Sequence, residues 1–166
     1  MIKMDIEVKI DLKTATKEMK AAAQKGIEMG ARLIETEVKK RIMRGAKTGT
    51  TYYRIPGEKY MVVHAGSEDG PPAAIFKATG KQNLSVKHTA SAPGQSPATD
   101  TGNLANLIRV DVKQFECAVV SGAKYSEWLE FGTSKISPRP FMFPSYEENK
   151  KKVEGLIARL VRGVTD

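Results

Sequence analysis

The side chains that could carry out catalysis or hold a metal stand in no pattern that such chemistry requires. Neither His64 nor His88 has a second histidine or a cysteine three or four residues away, the spacing of a helical metal site. Cys117 lies among apolar residues, whereas a reactive thiolate needs an accessible, electropositive setting. Glu127 and Glu130 lie one helical turn apart, which is more typical of a solvated face than of an acid–base pair. We therefore expect no enzyme, no metal and no cofactor.

The composition is that of one globular domain over residues 1–166. The chain has 40% hydrophobic and 28% charged residues, and its length is sufficient to bury a core. Its single cysteine excludes an internal disulfide and fits a reducing compartment. No apolar run approaches the ~18 residues that a membrane helix needs. We expect a soluble protein that is made in a cytoplasm and does not contact a membrane.

The net charge of +8 predicts an acidic partner, either a nucleic acid or an electronegative protein surface. Residues 13–47 hold ten Lys and Arg against four acidic residues, so a cationic helix face could neutralise phosphates. The acids are interleaved with the bases, however, and no helix-turn-helix, zinc finger or RNP-like strand is visible. A basic nucleic-acid-binding domain therefore stays as the alternative function.

Two periodic segments open the chain. Residues 2–12 alternate apolar and charged side chains, which predicts a strand with one buried face. Residues 13–44 have apolar side chains three or four apart, which predicts a long amphipathic helix. Thr14 or Thr16 is the expected N-cap, and the helix is expected to stop at Gly45.

Two features predict how the helices pack. Ala22, Gly26 and Gly30 lie one turn apart on the first helix and would let another backbone approach closely. Packing within the chain is favoured over a dimer contact there, because small residues are common on packed helices. A second amphipathic helix is predicted over residues 145–162.

The middle of the chain is expected to be extended. Residues 50–53 and 60–63 are β-branched and aromatic, and Pro56-Gly57 lies between them, which predicts a hairpin. Residues 64–103 are rich in Gly, Pro, Ser, Thr and Ala, which predicts an extended loop or arm. A short strand is expected inside this arm at residues 84–88.

Two further strands, at residues 108–112 and 115–120, are predicted to be joined by a tight connection at residues 113–114. The order of strand, long helix, several strands and long helix predicts an α+β fold. We expect a mostly antiparallel sheet with the long N-terminal helix and the C-terminal helix packed on one face.

Three blocks in the second half form a pattern of their own: SAPGQSPATDTGNL at residues 91–104, YSEWLEFGT at residues 125–133 and RPF at residues 139–141. Taken in this order as APGxxPxxDTGxL, YxxxxEFGT and RPF, they resemble the minor tail, tail-completion or neck (head-tail joining) proteins of long-tailed bacteriophages. Residues 45–90 lie outside the pattern.

The resemblance implies a structural virion protein that acts by assembly. It implies a ring, expected to be a hexamer, between the connector and the tail tube, with DNA passing through the lumen. The implied partners are other copies of the chain, connector or head-completion proteins and the tail tube protein. The implied location is the neck or tail of the virion, after assembly in the host cytoplasm. The residues expected to build the structure and its interfaces are Asp100, Thr101, Gly102, Leu104, Tyr125, Trp128, Glu130, Phe131, Gly132, Thr133, Arg139, Pro140 and Phe141.

A short helix is expected to begin near Leu104, with Asp100 or Thr101 as its cap. Gly102 would then act as a flexible joint, so that the preceding loop can reach a neighbouring subunit while Leu104 stays anchored in the core. The alternative, given equal weight, is that these residues only form a simple transition from loop to helix. The first strand is the candidate edge for strand addition.

The second block is expected to form one helical turn. Tyr125, Trp128 and Phe131 are three residues apart and would share one side of it, where core packing is favoured. Gly132 permits a positive φ that ends the turn and redirects the chain.

Arg139 is expected to pair with the carboxylate of Glu130 or Glu127, because a planar guanidinium suits a bidentate carboxylate contact. The prolines on either side of Arg139 hold the chain extended. This pairing would direct Phe141 and Phe143 to the inner face of the terminal helix.

Overall fold

The structure, a computed structural model, describes residues 2–6, 15–54, 63–64 and 86–164. Six strands and four helices lie in these described ranges. In chain order they are β1 (Ile2–Ile6), α1 (Lys17–Met43), β2 (Thr51–Arg54), β3 (Val63–His64), β4 (Val86–Thr89), α2 (Asn103–Asn106), β5 (Ile108–Lys113), β6 (Glu116–Ser121), α3 (Ser126–Phe131) and α4 (Met142–Arg162).

The first sheet is antiparallel and has the order β1-β6-β5. Val119 of the central strand lies between Met4 and Val110 in the register, so that apolar side chains share one face. The predicted tight connection between β5 and β6 is present one residue later than expected, at residues 114–115, where Phe115 has a φ of 58°. Gln24 of α1 supports this strained turn, because its Oε1 accepts the Phe115 amide at 2.6 Å.

The second sheet is also antiparallel and has the order β3-β2-β4. Strands β2 and β3 are the two arms of the predicted hairpin, and Tyr52 pairs with His64. Strand β4 confirms the short strand expected inside the arm, and it pairs with the other edge of β2. The predicted turn at Pro56-Gly57 lies outside the described residues.

Helix α1 begins where its sequence supplies a cap. The Thr16 hydroxyl accepts the Met19 amide at 3.2 Å, which satisfies one of the free donors of the first turn. Thr14, the other expected cap, lies outside the described residues. The helix packs on β5 and β6 through an apolar face. Its buried residues are Ala23, Gly26, Ile27, Gly30, Ala31, Ile34, Val38 and Ile42.

Helix α4 packs antiparallel along α1, and two glycines make the approach possible. A Cβ atom on Gly30 would lie 2.5 Å from Cγ1 of Val153, and one on Gly26 would lie 3.1 Å from Cα of Ile157. At the other end of the pair, Nε of Arg41 donates to Oγ of Ser145 at 2.9 Å. The small residues of α1 therefore serve packing within the chain, as the sequence predicted.

The α+β fold class is confirmed: one core joins α1 and α4 to the first sheet. Two expectations, the start of the last helix and the extent of the arm, are corrected. Helix α4 begins at Met142, three residues earlier than predicted. Within the predicted arm, residues 86–89 form β4 and residues 91–99 are hydrogen-bonded to α1 and to residues 138–140, whereas residues 65–85 lie outside the described ranges. The first strand is described only to Ile6. In the described ranges, no helix is long and apolar enough to cross a membrane.

The contact between α1 and α4 generates a prediction with a matched control. We expect Gly30→Ala to lower the free energy of unfolding by about 1–3 kcal/mol, because the added methyl group overpacks a buried contact with a stiff valine. Gly155→Ala, at a helix position with no atom within 4 Å of the added Cβ, should raise it by about 0.5–1 kcal/mol. Urea unfolding measures both, and equal effects would contradict the proposed packing role.

Candidate functional site

The three sequence blocks meet in one place, which we call the three-block junction (residues 91–97, 129–133 and 136–143). The Arg139 Nε atom donates to the carbonyl oxygen of Ser91 at 3.1 Å. The Gly94 amide donates to the carbonyl oxygen of Pro138 at 2.9 Å. The first block is therefore bound to the third by hydrogen bonds that use the backbone.

A third link joins the same two blocks, and a fourth brings in the second. The Ser96 hydroxyl donates to the Pro140 carbonyl at 3.2 Å. The Arg139 amide donates to the Leu129 carbonyl at 2.6 Å. Segments that lie between 10 and 48 residues apart in the chain are thus held as one unit.

Glu130 is the central side chain of the junction. Its Oε2 atom accepts the amides of Phe141 at 2.8 Å and Met142 at 3.0 Å, and its Oε1 atom accepts the amide of Phe143 at 2.8 Å. The next residue is Pro144, which has no N–H. Glu130 therefore satisfies every free backbone donor in the first turn of α4.

This arrangement explains how a carboxylate can be 5% exposed with no ion pair to a cation among the described residues. The N-cap residue of α4 is Phe141, whose side chain cannot cap the helix. The Glu130 carboxylate takes over that role and also faces the positive end of the helix dipole. Hydrogen bonds to a charged acceptor contribute about 1.5–3 kcal/mol each to stability.

Gly132 makes the turn that returns the chain to Glu130. Its φ of 75° confirms the predicted positive φ. A Cβ atom there would lie 2.7 Å from the Ile136 carbonyl oxygen and 3.0 Å from Pro138. Thr133 closes the loop, because its amide donates to that Ile136 carbonyl at 2.8 Å and its hydroxyl accepts the Ile136 amide at 3.1 Å.

The expected ion pair between Arg139 and a carboxylate is wrong. The Arg139 guanidinium donates to the Ser91 carbonyl instead. Both oxygens of Glu130 are already bound to the amides at the start of α4. The sequence did contain a signal for this arrangement: a helix that begins Phe-Met-Phe-Pro has no capping side chain of its own, so that another residue must supply the acceptor.

The expectation that the aromatic residues of α3 pack in the core is also wrong. Trp128 is 54% exposed and Phe131 is 70% exposed, and Phe143, expected on the inner face of α4, is 61% exposed. We call these three residues the aromatic surface. The buried positions of α3 are Ser126 and Glu130, which lie on the opposite side of the helix.

Only part of the expected inward packing is observed. Phe141 has no exposed surface and belongs to the core, as predicted. Tyr125 is 37% exposed, and its hydroxyl accepts a long hydrogen bond of 3.4 Å from the Asn103 side chain. The aromatic side chains near the junction therefore divide into one buried anchor and an outward-facing group.

The start of α2 differs from the prediction. Neither Asp100 nor Thr101 is its N-cap; that residue is Gly102, which has a φ of 78° and gives no side-chain hydrogen bond. The Thr101 hydroxyl accepts only a 3.4 Å bond from the Asn103 amide. Leu104 is buried in the core as expected. The N-cap position has a positive φ, which glycine adopts readily and aspartate or threonine adopts rarely. This is why Gly102, and not Asp100 or Thr101, occupies it.

The first block is also attached to the end of α1. The Thr99 hydroxyl donates to the Ile42 carbonyl at 2.9 Å. Gly45 lies so close to Pro97 that any Cβ atom would overlap the proline carbonyl. Residues 90–99 are thus bound to the body on two sides. The expectation of an arm that moves freely is therefore wrong for this part of the chain.

A groove of about 780 Å³ lies beside the junction, between residues 97–105 and α3. We call it the groove. Its deep part is lined by buried apolar residues, among them Ile42, Leu104 and Ala105, and its rim carries the exposed residues Asp100 and Asn103. Such a concave apolar site suits an apolar side chain or ligand.

Two further titratable side chains of the described residues, Cys117 and His88, are buried. Burial raises the pKa of the Cys117 thiol, which disfavours the thiolate. His88 is buried with its Nδ1 atom 3.6 Å from Oδ1 of Asp100. Across the described residues, no group of three or more His, Cys, Asp and Glu side chains is placed to hold a metal ion.

The fold and the site together define an α+β domain in which a buried carboxylate organises a junction beside exposed aromatic residues. Comparisons with protein families, with curated proteins and with solved structures gave no significant match.

The capping role of Glu130 predicts a large effect from a small change. We expect Glu130→Gln to lower the free energy of unfolding by about 2–3 kcal/mol, because the amide nitrogen of Gln would face backbone donors and the charge at the helix terminus is lost. Glu147→Gln, at an exposed position of the same helix, should change it by less than about 0.5 kcal/mol. Thermal and urea unfolding compare the two variants; similar losses would refute the capping role.

The setting of Cys117 predicts its reactivity. We expect a thiol reagent to modify the native protein only as fast as the protein unfolds, because the side chain is fully buried and its pKa is raised. The control is the protein unfolded in denaturant, which the same reagent should modify rapidly. Rapid labelling of the native protein would contradict a structural thiol.

Proposed function

We propose that this protein is a structural virion component of the phage head-tail joining region, a tail-completion, tail-terminator or neck protein. It acts by forming a ring between the connector and the tail tube, and it is located in the neck or tail of the virion. The observation that carries the proposal is the junction itself: the three blocks that resemble this family lie together in space and depend on one another through Glu130 and Arg139.

The chemistry of the junction supports a role in assembly rather than in turnover of a substrate. Its polar groups, Glu130 and Arg139 among them, are engaged with backbone atoms. What faces outward beside them is the aromatic surface. Exposed aromatic residues are enriched where proteins contact one another. The proposed partners are other copies of this chain, connector or head-completion proteins and the tail tube protein.

The charge distribution favours a protein partner over a nucleic acid. Three of the seven Lys and Arg residues of α1 are paired with acids of the same helix at the spacing of adjacent turns. The pairs are Arg32 with Glu28 at 2.8 Å, Lys39 with Glu35 at 2.6 Å and Lys40 with Glu37 at 2.8 Å. The Lys40 hydrogen bond lowers the pKa of the Glu37 carboxyl, which keeps that acid charged. Direct DNA binding is therefore the weaker alternative, although DNA in the lumen of a ring would meet the remaining bases.

Deletion of the gene from the phage or prophage tests the proposal. We expect separate filled heads and separate tails, and no infectious particles, because the two parts lack the joining ring. Wild-type protein supplied in trans should restore joined particles, and Glu147→Gln protein should restore them equally. Normal infectious particles without the protein would overturn the proposal.

The nucleic-acid alternative has its own test. Gel-shift assays with duplex DNA at two salt concentrations should show weak binding or none, whereas a DNA-binding domain would bind tightly at low salt and lose affinity steeply as salt rises.

A further inference from the structure

We propose that the aromatic surface of one copy of this chain enters the groove of the next copy, so that the subunits contact one another head to tail. The inference rests on the proposed ring and names the two surfaces that would form it.

The aromatic surface has the size of an interface core. A buried aromatic side chain covers about 150–250 Å². Since Trp128, Phe131 and Phe143 are each more than half exposed, together they present roughly 300–450 Å² of apolar area. That is comparable to the largest patch on a typical monomer, and about half of the ≈ 800 Å² that each partner contributes to a standard interface.

The backbone positions that carry these three residues are held near one another by the junction. Phe131 directly follows Glu130, and the amide of Phe143 is bound to the Glu130 carboxylate. Trp128 precedes Phe131 by three residues on the same side of α3. A rigid aromatic cluster loses little conformational entropy on binding, which favours it as the centre of an interface.

The groove has the properties of the complementary surface. Its volume of about 780 Å³ falls in the ≈ 300–1,000 Å³ range of pockets that enclose ligands of several rings. Its deep part is apolar, through Ile42 and Leu104, and its exposed rim is polar, through Asp100 and Asn103. An apolar centre with a polar rim is the usual pattern of a protein interface.

The aromatic residues of α3 cannot fill the groove of their own copy because of the position of that helix. Leu129 of this helix and Tyr125 just before it line the groove, whereas Trp128 and Phe131 do not line it and are more than half exposed. The helix has six residues and is fixed at both ends, so its own aromatic side chains cannot fold back into the groove. Two different surfaces on one subunit give a heterologous contact, which is the kind that closes into rings.

Two complementary variants test this contact. The first, Trp128→Ser with Phe131→Ser, removes aromatic side chains and keeps the groove. The second, Ala98→Arg, places a long charged side chain in the groove and keeps the aromatic surface. Asn103→Arg, at the exposed rim, replaces the second variant if Ala98→Arg does not fold, as judged by circular dichroism. Met29→Ser is the matched control, an exposed methionine on α1 that neither surface includes.

Sedimentation equilibrium of the pure proteins gives the result. Wild-type and Met29→Ser protein should form species of several times 18.2 kDa. Each interface variant alone should associate at least about 30-fold more weakly. An equal mixture of the two should form a one-to-one pair and nothing larger, because only one intact aromatic surface meets one intact groove.

Three outcomes overturn the inference: a monomeric wild-type protein, an interface variant that assembles like wild type, or a mixture that stays monomeric. If the protein assembles through other surfaces, the contact proposed here is wrong, but the proposed function is not affected. Loss of the proposed function would be seen separately, as normal particles formed without the gene.

Discussion

The hydrogen bonds between the Glu130 carboxylate and three backbone amides are the interaction on which the rest of the structure depends. They satisfy the start of α4, a helix whose first residues offer no cap, and they fix where that helix begins. From that point α4 runs along α1, where Gly26 and Gly30 allow the two backbones to approach closely. A single buried charge thus positions the helix layer relative to the loops of the second half.

The same interaction explains why aromatic side chains face solvent. Since Ser126 and Glu130 occupy the buried side of α3, Trp128 and Phe131 are left on the other side. Gly132 then turns the chain so that the first turn of α4, which carries Phe143, returns to Glu130. The exposure of these residues follows from the capping geometry, and it links the stability of the junction to the surface that we propose for assembly.

Local patterns predicted most of the elements. Alternation predicted β1, the 3.6-residue period predicted α1 and α4, and Thr16 and Gly132 were correctly named as a helix start and a helix end. These features depend on side chains within a few residues of one another, and such interactions can be inferred from the sequence. The pairing of Arg139 was predicted wrongly because its partner, the Ser91 carbonyl, is a backbone group 48 residues away that no side-chain pattern marks.

By itself, the sequence determined the fold class, the order of the elements and the residues of the three blocks. Only the tertiary structure decided that these blocks meet, that Glu130 binds amides rather than a guanidinium, and which aromatic rings are buried. The physical reason is that burial and hydrogen-bond partners are set by which distant segments exclude water from a group. The period of a six-residue helix shows which side chains share a side, but it does not show which side will be covered.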